Sequence, residues 1–223
     1  MRRRSKREIR IPTYSLGEEI WNAVSHGLGA LLSAAALTLM MIRARGVLAV
    51  TTAAIFGTSM ILLYTISCVY HALSPKMSGK KVLRVLDHSN VFLLVFGTYI
   101  PVALLGVAGT RGWILFGLVA IFTAFGIIFT AVDLERFQLA AVLCQLLSGW
   151  SILIGISDLL LNIGIQGVTW MIAGGVMYTI GAVLYGVGKH KKYYHSIFHI
   201  FCLQGTFCHF WAVYQFILRH AQV

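Results

Sequence analysis

The sequence predicts an all-α fold: a seven-transmembrane helix bundle with its N-terminus cytoplasmic and its C-terminus outside. Three observations predict it. The 223 residues are 58% apolar and only 11% charged, with mean hydropathy +0.82, whereas about a quarter of the residues in an ordinary soluble domain carry charge. The apolar residues fall into runs of about 20 or more, the length that crosses a hydrocarbon core of about 30 Å. The basic residues gather between the runs and do so unequally, which sets orientation.

Residues 1–13 form a basic arm with Arg2, Arg3, Arg4, Lys6, Arg7 and Arg10. A secretory signal would place an apolar core soon after the charges and end at small residues, so the arm is expected to stay on the chain, in the cytoplasm. Residues 14–223 read as one membrane domain. Ser15-Leu16-Gly17-Glu18 is an S-x-x-E capping box, so the first helix starts there. It passes through Glu19, Asn22 and His26 to Ile42 and stops at Arg43 and Arg45. The second span runs from about Val47 to Leu73. Pro75 to Arg84 reads as a basic loop. The third span runs from about Val85 to Leu105, and Pro101 is expected to kink it or end its regular part. The fourth covers Trp113 to Val132 and the fifth Phe137 to Leu161. An uncharged turn, Asn162 to Gly167, leads to the sixth, Val168 to Gly188. The seventh runs from Tyr193 to Leu218. Asp133 and Glu135 read as solvated loop charges and Asp158 as a helix-end carboxylate. Trp113, Trp170, Tyr193, Tyr194 and Trp211 read as interface anchors and core.

With the N-terminus inside, fourteen of the eighteen Lys and Arg residues fall on the inner side and four on the outer. That ratio decides the orientation. The formal charge of +11 does not point to nucleic acid, because no soluble basic domain is present to carry it. Basic loops of a membrane protein meet anionic lipid instead. Cys68, Cys144, Cys202 and Cys208 all sit in apolar runs without a C-x-x-C pair, and read as small buried residues. No G-x-x-x-G occurs, so no helix-dimer face is proposed.

Threading seven spans brings scattered polar residues to one depth. The start of the first, the end of the second and the starts of the third and seventh all lie at the cytoplasmic side. Glu18, Glu19, Asn22, His26, Ser67, His71, Asp87, His195 and His199 therefore share a layer. His195 and His199 are four residues apart, so both imidazoles reach one metal ion from one helix face. Ser67 and His71 share a face in the same way, and His71 can supply a third imidazole. Three neutral imidazoles suit a zinc ion with one position open. Asp87 is placed to take a proton from water, and Ser67 to steady a developing oxyanion. Such a site suits hydrolysis of an amide or ester, and its depth points to a lipid-like substrate.

Plainer readings stand beside this one. An intramembrane histidine also bonds ordinary neighbours. Asp87 also suits a helix N-terminus, and Ser67 also suits a bond to its own helix. Glu19, Asn22 and His26 share a face at i, i+3 and i+7, where they either line the entrance or pack polar groups on the seventh span. His209 reads as a satisfied core residue, His88 as facing elsewhere, and His190 and His220 as loop or tail residues.

The motifs Glu18-Glu19-x-x-Asn22-x-x-Ser25-His26-x-x-Gly29, Ser67-x-x-x-His71, Leu86-Asp87 followed by Phe96-Gly97-Thr98-Tyr99-Ile100-Pro101, and His195-x-x-x-His199 with His209 together resemble the hemolysin III family. That family is the bacterial branch of the progestin and adipoQ receptor (PAQR) proteins. The resemblance covers about Tyr14 to Trp211. It implies a seven-helix fold with the N-terminus inside and zinc held by His71, His195 and His199 beside a water and Asp87. Related alkaline ceramidases use similar residues to hydrolyse a lipid amide. The bacterial branch takes its name from a haemolytic phenotype, and membrane-lipid homeostasis is also attached to it. The expectation is therefore a multi-pass protein of the bacterial cytoplasmic membrane, with membrane lipids as partners, acting as a zinc-dependent lipid hydrolase. The alternatives are a pore-forming cytolysin and a membrane sensor with structural zinc. Without the long soluble N-terminal region of the receptor members, a hormone receptor is not expected.

Overall fold

A computed structural model describes residues 9, 11–188 and 191–221. Most of the basic arm (residues 1–8 and Arg10), together with Lys189 and His190, lies outside the described residues. Every regular element among the described residues is helical: α1 (Leu16–Arg43), α2 (Val47–Ala72), α3 (Gly79–Pro101), α4 (Gly109–Asp133), α5 (Gln138–Trp150), α6 (Ile156–Val187) and α7 (Tyr194–Ala212). Among the described residues, six helical stretches are long and apolar enough to cross a membrane: Leu16–Arg43, Val47–Ala72, Gly79–Val107, Gly109–Asp133, Gln138–Val187 and Tyr194–His220.

α1 begins where the capping box places it. Ser15 Oγ accepts the Glu18 backbone N–H at 3.3 Å, and Glu18 Oε2 accepts the Ser15 N–H at 2.9 Å. Two backbone N–H groups that the helix start leaves orphaned are thereby satisfied. At the other end of α3, Pro101 ends the regular helix as expected. It has no N–H to give to the ladder, and the chain continues as a wide π-helical turn, Val102–Val107. A second such turn, Val213–Ile217, follows α7, and the two touch at the same end of the bundle.

The start of α3 differs from expectation. The helix begins at Gly79, so Lys80 and Arg84 are not loop residues but buried helical ones. A hydropathy reading breaks a helix at its charges. Here the charges have partners inside the protein, so the helix continues through them. Arg84 Nη1 lies 3.3 Å from Glu135 Oε1, which makes Glu135 a partner rather than a solvated loop charge. Asp158 likewise pairs with Arg111, at 3.1 Å. Asp133 caps the next turn by accepting the Arg136 N–H at 3.0 Å.

The stretch Gln138–Val187 folds back on itself. A straight helix of 50 residues would be about 75 Å long. Instead Trp150 Nε1 donates to Thr179 Oγ1 at 3.1 Å, although about 43 Å would separate the two along one helix. The reversal is at Gly164, whose φ of 68° and ψ of 175° are open essentially to glycine alone. Asn162 Nδ2 ties the turn to the Gly106 carbonyl at 2.9 Å.

The interior is divided by depth. Its apolar core (Phe56, Met60, Leu94, Leu115, Val119, Val213 and Ile217 among others) fills the part of the bundle nearer the π-helical turns. The other end buries Glu18, Asn22, His26, Ser67, His71, Lys80, Arg84, Asp87 and His199. Burying so many polar groups is costly unless each is used. All four cysteines are free; Cys202 is buried and the other three are half-buried.

Candidate metal centre

His71 leaves the last turn of α2, and His195 and His199 leave consecutive turns of α7. The start of α7 is fixed from outside. Glu18, whose Oε2 completes the α1 cap, offers Oε1 to the Tyr193 N–H at 2.7 Å. Tyr193 is a non-glycine residue with φ of 64°, and one carboxylate thus joins the first turns of α1 and α7.

The three imidazoles face one another with ring nitrogens within 4.8 Å. His195 Nε2 lies 3.3 Å from His71 Nε2 and 3.1 Å from His199 Nε2. Tetrahedral zinc with Zn–N bonds of about 2.0–2.1 Å sets its ligand nitrogens about 3.3–3.4 Å apart. The donor set therefore fits zinc in type, and the 3.1 and 3.3 Å separations from His195 lie near that spacing. The proton count agrees. Glu19 Oε2 accepts from His71 Nδ1 at 2.6 Å, which in the neutral ring leaves His71 Nε2 bare. One hydrogen on His195 Nε2 aims at only one of its two neighbours, whereas a cation between the rings satisfies all three. A carboxylate behind a histidine ligand is the usual second partner in such sites.

The surrounding groups sit as follows. Glu19, Asn22 and His26 all reach the triad. Glu19 bonds His71, Asn22 Nδ2 lies 3.5 Å from His71 Nδ1, and the His26 ring stacks on His199 at 3.6 Å between centroids and 10° between planes. Neither ring nitrogen of His26 has a partner among the described residues. Asp87 lies two turns into α3 rather than at its start, so the helix-capping alternative falls away. Ser67 does not bond back to its own helix as Ser33, Ser59 and Thr98 do. Its Oγ lies beside the Asp87 carboxyl without meeting hydrogen-bond geometry.

Ser67, Asp87, His195 and His199 line one cavity of about 900 Å³, open mouth included, together with apolar walls from Leu63, Val91 and Phe92. His88 lines it too, against the expectation that it faces elsewhere. Its ring lies 5.9 Å from that of Tyr185, which lines the same space. His209 is a buried core residue, with Nε2 3.1 Å from the Met171 carbonyl.

Two neighbours of the triad carried no sequence signal of their own. Tyr14, just before α1, stacks on His195 at 5.1 Å and 17°, and burial pushes its phenol above the ordinary tyrosine range. Lys80, with its side chain wholly buried, meets Glu19 Oε1 at 2.6 Å. The stripe Lys80, Arg84, Asp87, Val91 and Leu94, at i, i+4, i+7, i+11 and i+14, is the signal that would have placed Lys80 on the inner face of a helix.

Comparison with known proteins gives the family. The profile described as haemolysin-III related matches residues 14–210. The chain is 36% identical to "Hemolysin-3" of Bacillus cereus over 213 residues, covering 94% of this chain and 96% of that protein. It is 32% identical to the "Hemolysin-3 homolog" of Bacillus subtilis (strain 168), covering 92% and 97%. More distantly, it is 22% identical to the human monocyte to macrophage differentiation factor, covering 75% and 71%. The apolar helices and the match along nearly the whole length together make this chain a multi-pass membrane protein that belongs to the haemolysin-III related family.

Proposed function

We propose that this protein crosses the cell membrane seven times and acts as a zinc-dependent hydrolase of a lipid amide or ester in membrane lipid homeostasis. The longest helical stretch supplies two of the seven crossings, because it reverses at Gly164. The N-terminus is inside and the C-terminus outside. Lys80 and Arg84 are buried and drop out of the count of surface charges, which leaves twelve basic residues inside against four outside. The orientation is unchanged.

One observation carries the functional reading: two of the three converging imidazoles, those of His195 and His199, line the same largely apolar cavity as a buried carboxyl and a buried hydroxyl without a partner. His71, His195 and His199 hold the ion. A zinc ion there supplies Lewis acidity and makes water acidic near neutral pH. Asp87 accepts the proton released from water at its carboxylate and delivers it to the departing amine or alcohol. Ser67 Oγ donates to the carbonyl oxygen as negative charge develops on it. Leu63, Val91 and Phe92 give the substrate an apolar wall and keep bulk water from competing. A lipid suits this space because the walls are largely apolar.

Incubating the purified protein with a panel of lipid amides and esters in defined micelles tests the reading. Wild type should release fatty acid. Asp87→Asn, with its zinc content measured in parallel, should be slower by about 10²–10⁴-fold. Equal rates for the two would remove Asp87 from the chemistry and with it the hydrolase assignment.

A further inference from the structure

A fully buried lysine inside a membrane helix bundle is costly and marks a use. Lys80 is such a residue: its side chain is 0% exposed. Nζ donates to Glu19 Oε1 at 2.6 Å and to the Leu73 carbonyl at 2.7 Å, and it lies 5.1 Å from the centre of the Tyr70 ring. The other oxygen of Glu19 meets His71 Nδ1 at 2.6 Å. One carboxylate therefore bridges the Lys80 ammonium and the imidazole of the triad.

We propose that Lys80 is a positioning residue for the triad: acting through Glu19, it holds His71 in the tautomer that presents a bare Nε2 to His195 and His199, and so sets the affinity of the site for zinc. The inference rests on the zinc reading above.

The geometry leaves His71 one tautomer. If its proton sat on Nε2, the Nδ1 lone pair would face a carboxylate oxygen at 2.6 Å, acceptor against acceptor. Glu19 has this effect only while its carboxylate is aimed at the ring. A glutamate side chain turns freely, and this one is 14% exposed, so water competes for it. Lys80 removes that freedom by fixing Oε1. It also measures its position from α2 itself, because Leu73, whose carbonyl it holds, is the residue that ends α2 two positions after His71. Asn22 does not replace Glu19, since the group it turns to His71 Nδ1, at 3.5 Å, is the amide NH2, a donor that cannot accept the Nδ1 hydrogen.

The test compares zinc affinity with stability. Purified full-length protein, stripped of metal in detergent, is titrated with zinc against a chromophoric chelator. Lys80→Met and Glu19→Gln should each weaken zinc binding about 10–100-fold, as loss of a second partner behind a histidine ligand does elsewhere. The double variant should be no weaker than the weaker single one, because both residues act through one hydrogen bond. Melting of the metal-free proteins separates a strut from a relay. If Lys80 only braces the α2–α3 turn, Lys80→Met melts lower yet binds zinc like wild type, and the proposal is overturned. Should Lys80→Met fail to fold, the nearly isosteric Glu19→Gln decides: wild-type affinity there also overturns it. Losses that multiply in the double variant would refute the relay as well. Wild type that binds no zinc would strike the metal reading itself, which is a different failure.

Discussion

Replacing Gly164 by alanine tests how the chain turns between its fifth and sixth legs. The backbone there has φ of 68° and ψ of 175°. A residue with a Cβ held in that region costs about 1–3 kcal/mol. The cost is purely conformational, because a Cβ at Gly164 meets nothing within 4 Å. Relaxing the turn offers no escape, since it would sacrifice the Asn162 bond to the Gly106 carbonyl. With each kcal/mol worth roughly 2–4 °C in a chain of this size, Gly164→Ala should lower the melting temperature by about 2–12 °C. Gly117 is the control. It lies inside α4 with equally open space around it and an ordinary negative φ, so Gly117→Ala should melt at or above wild type. Tryptophan fluorescence during heating in detergent reports all three proteins. If Gly164→Ala melts with wild type and the control, the reversal does not depend on the conformation argued here.

Two further outcomes are expected. Elemental mass spectrometry should find about one zinc per chain in the wild type and none in His195→Ala/His199→Ala, since a site with three protein ligands and one open position keeps a single histidine in that variant; zinc retained by the double variant would place it elsewhere. Gly126→Ala should destabilise the α3–α4 contact by about 1–3 kcal/mol, because the added Cβ would sit 2.0 Å from Phe92 Cε1 and push that ring toward the cavity. An unchanged melting temperature would mean that Phe92 moves aside freely.

The elements legible in the sequence were those with a local cause. The capping box at Ser15 and Glu18, the end of regular helix at Pro101 and the i, i+4 pair at His195 and His199 each depend on residues within one turn of one another. Depth was legible too, because spans of similar length bring helix ends to common levels. The convergence of His71 with His195 and His199 followed from that. What stayed hidden was how side chains pair across elements. Lys80 and Arg84 read as loop charges because their partners, Glu19 and Glu135, are 61 and 51 residues away in sequence. His88 read as turned away because adjacency to Asp87 suggests a different helix face. The cavity, however, is wide enough to reach both, with walls from α1 through α7. Tyr14 carried no pattern at all. Its stacking on His195 is decided by where α7 arrives.

The bridge from Glu18 to Tyr193 has a consequence for how the protein is made. A ribosome releases α1 and α2 long before α7, so Glu18 and His71 wait in the membrane while some 120 residues are synthesised and inserted between His71 and Tyr193. Two of the three imidazoles arrive only with α7. One backbone N–H at its start, that of Tyr193, docks on the same carboxylate that caps the first helix. The triad is therefore complete only once α7 is in place, and capture of a metal at that moment would bind α7 to α2 while leaving every chain without α7 open to quality control.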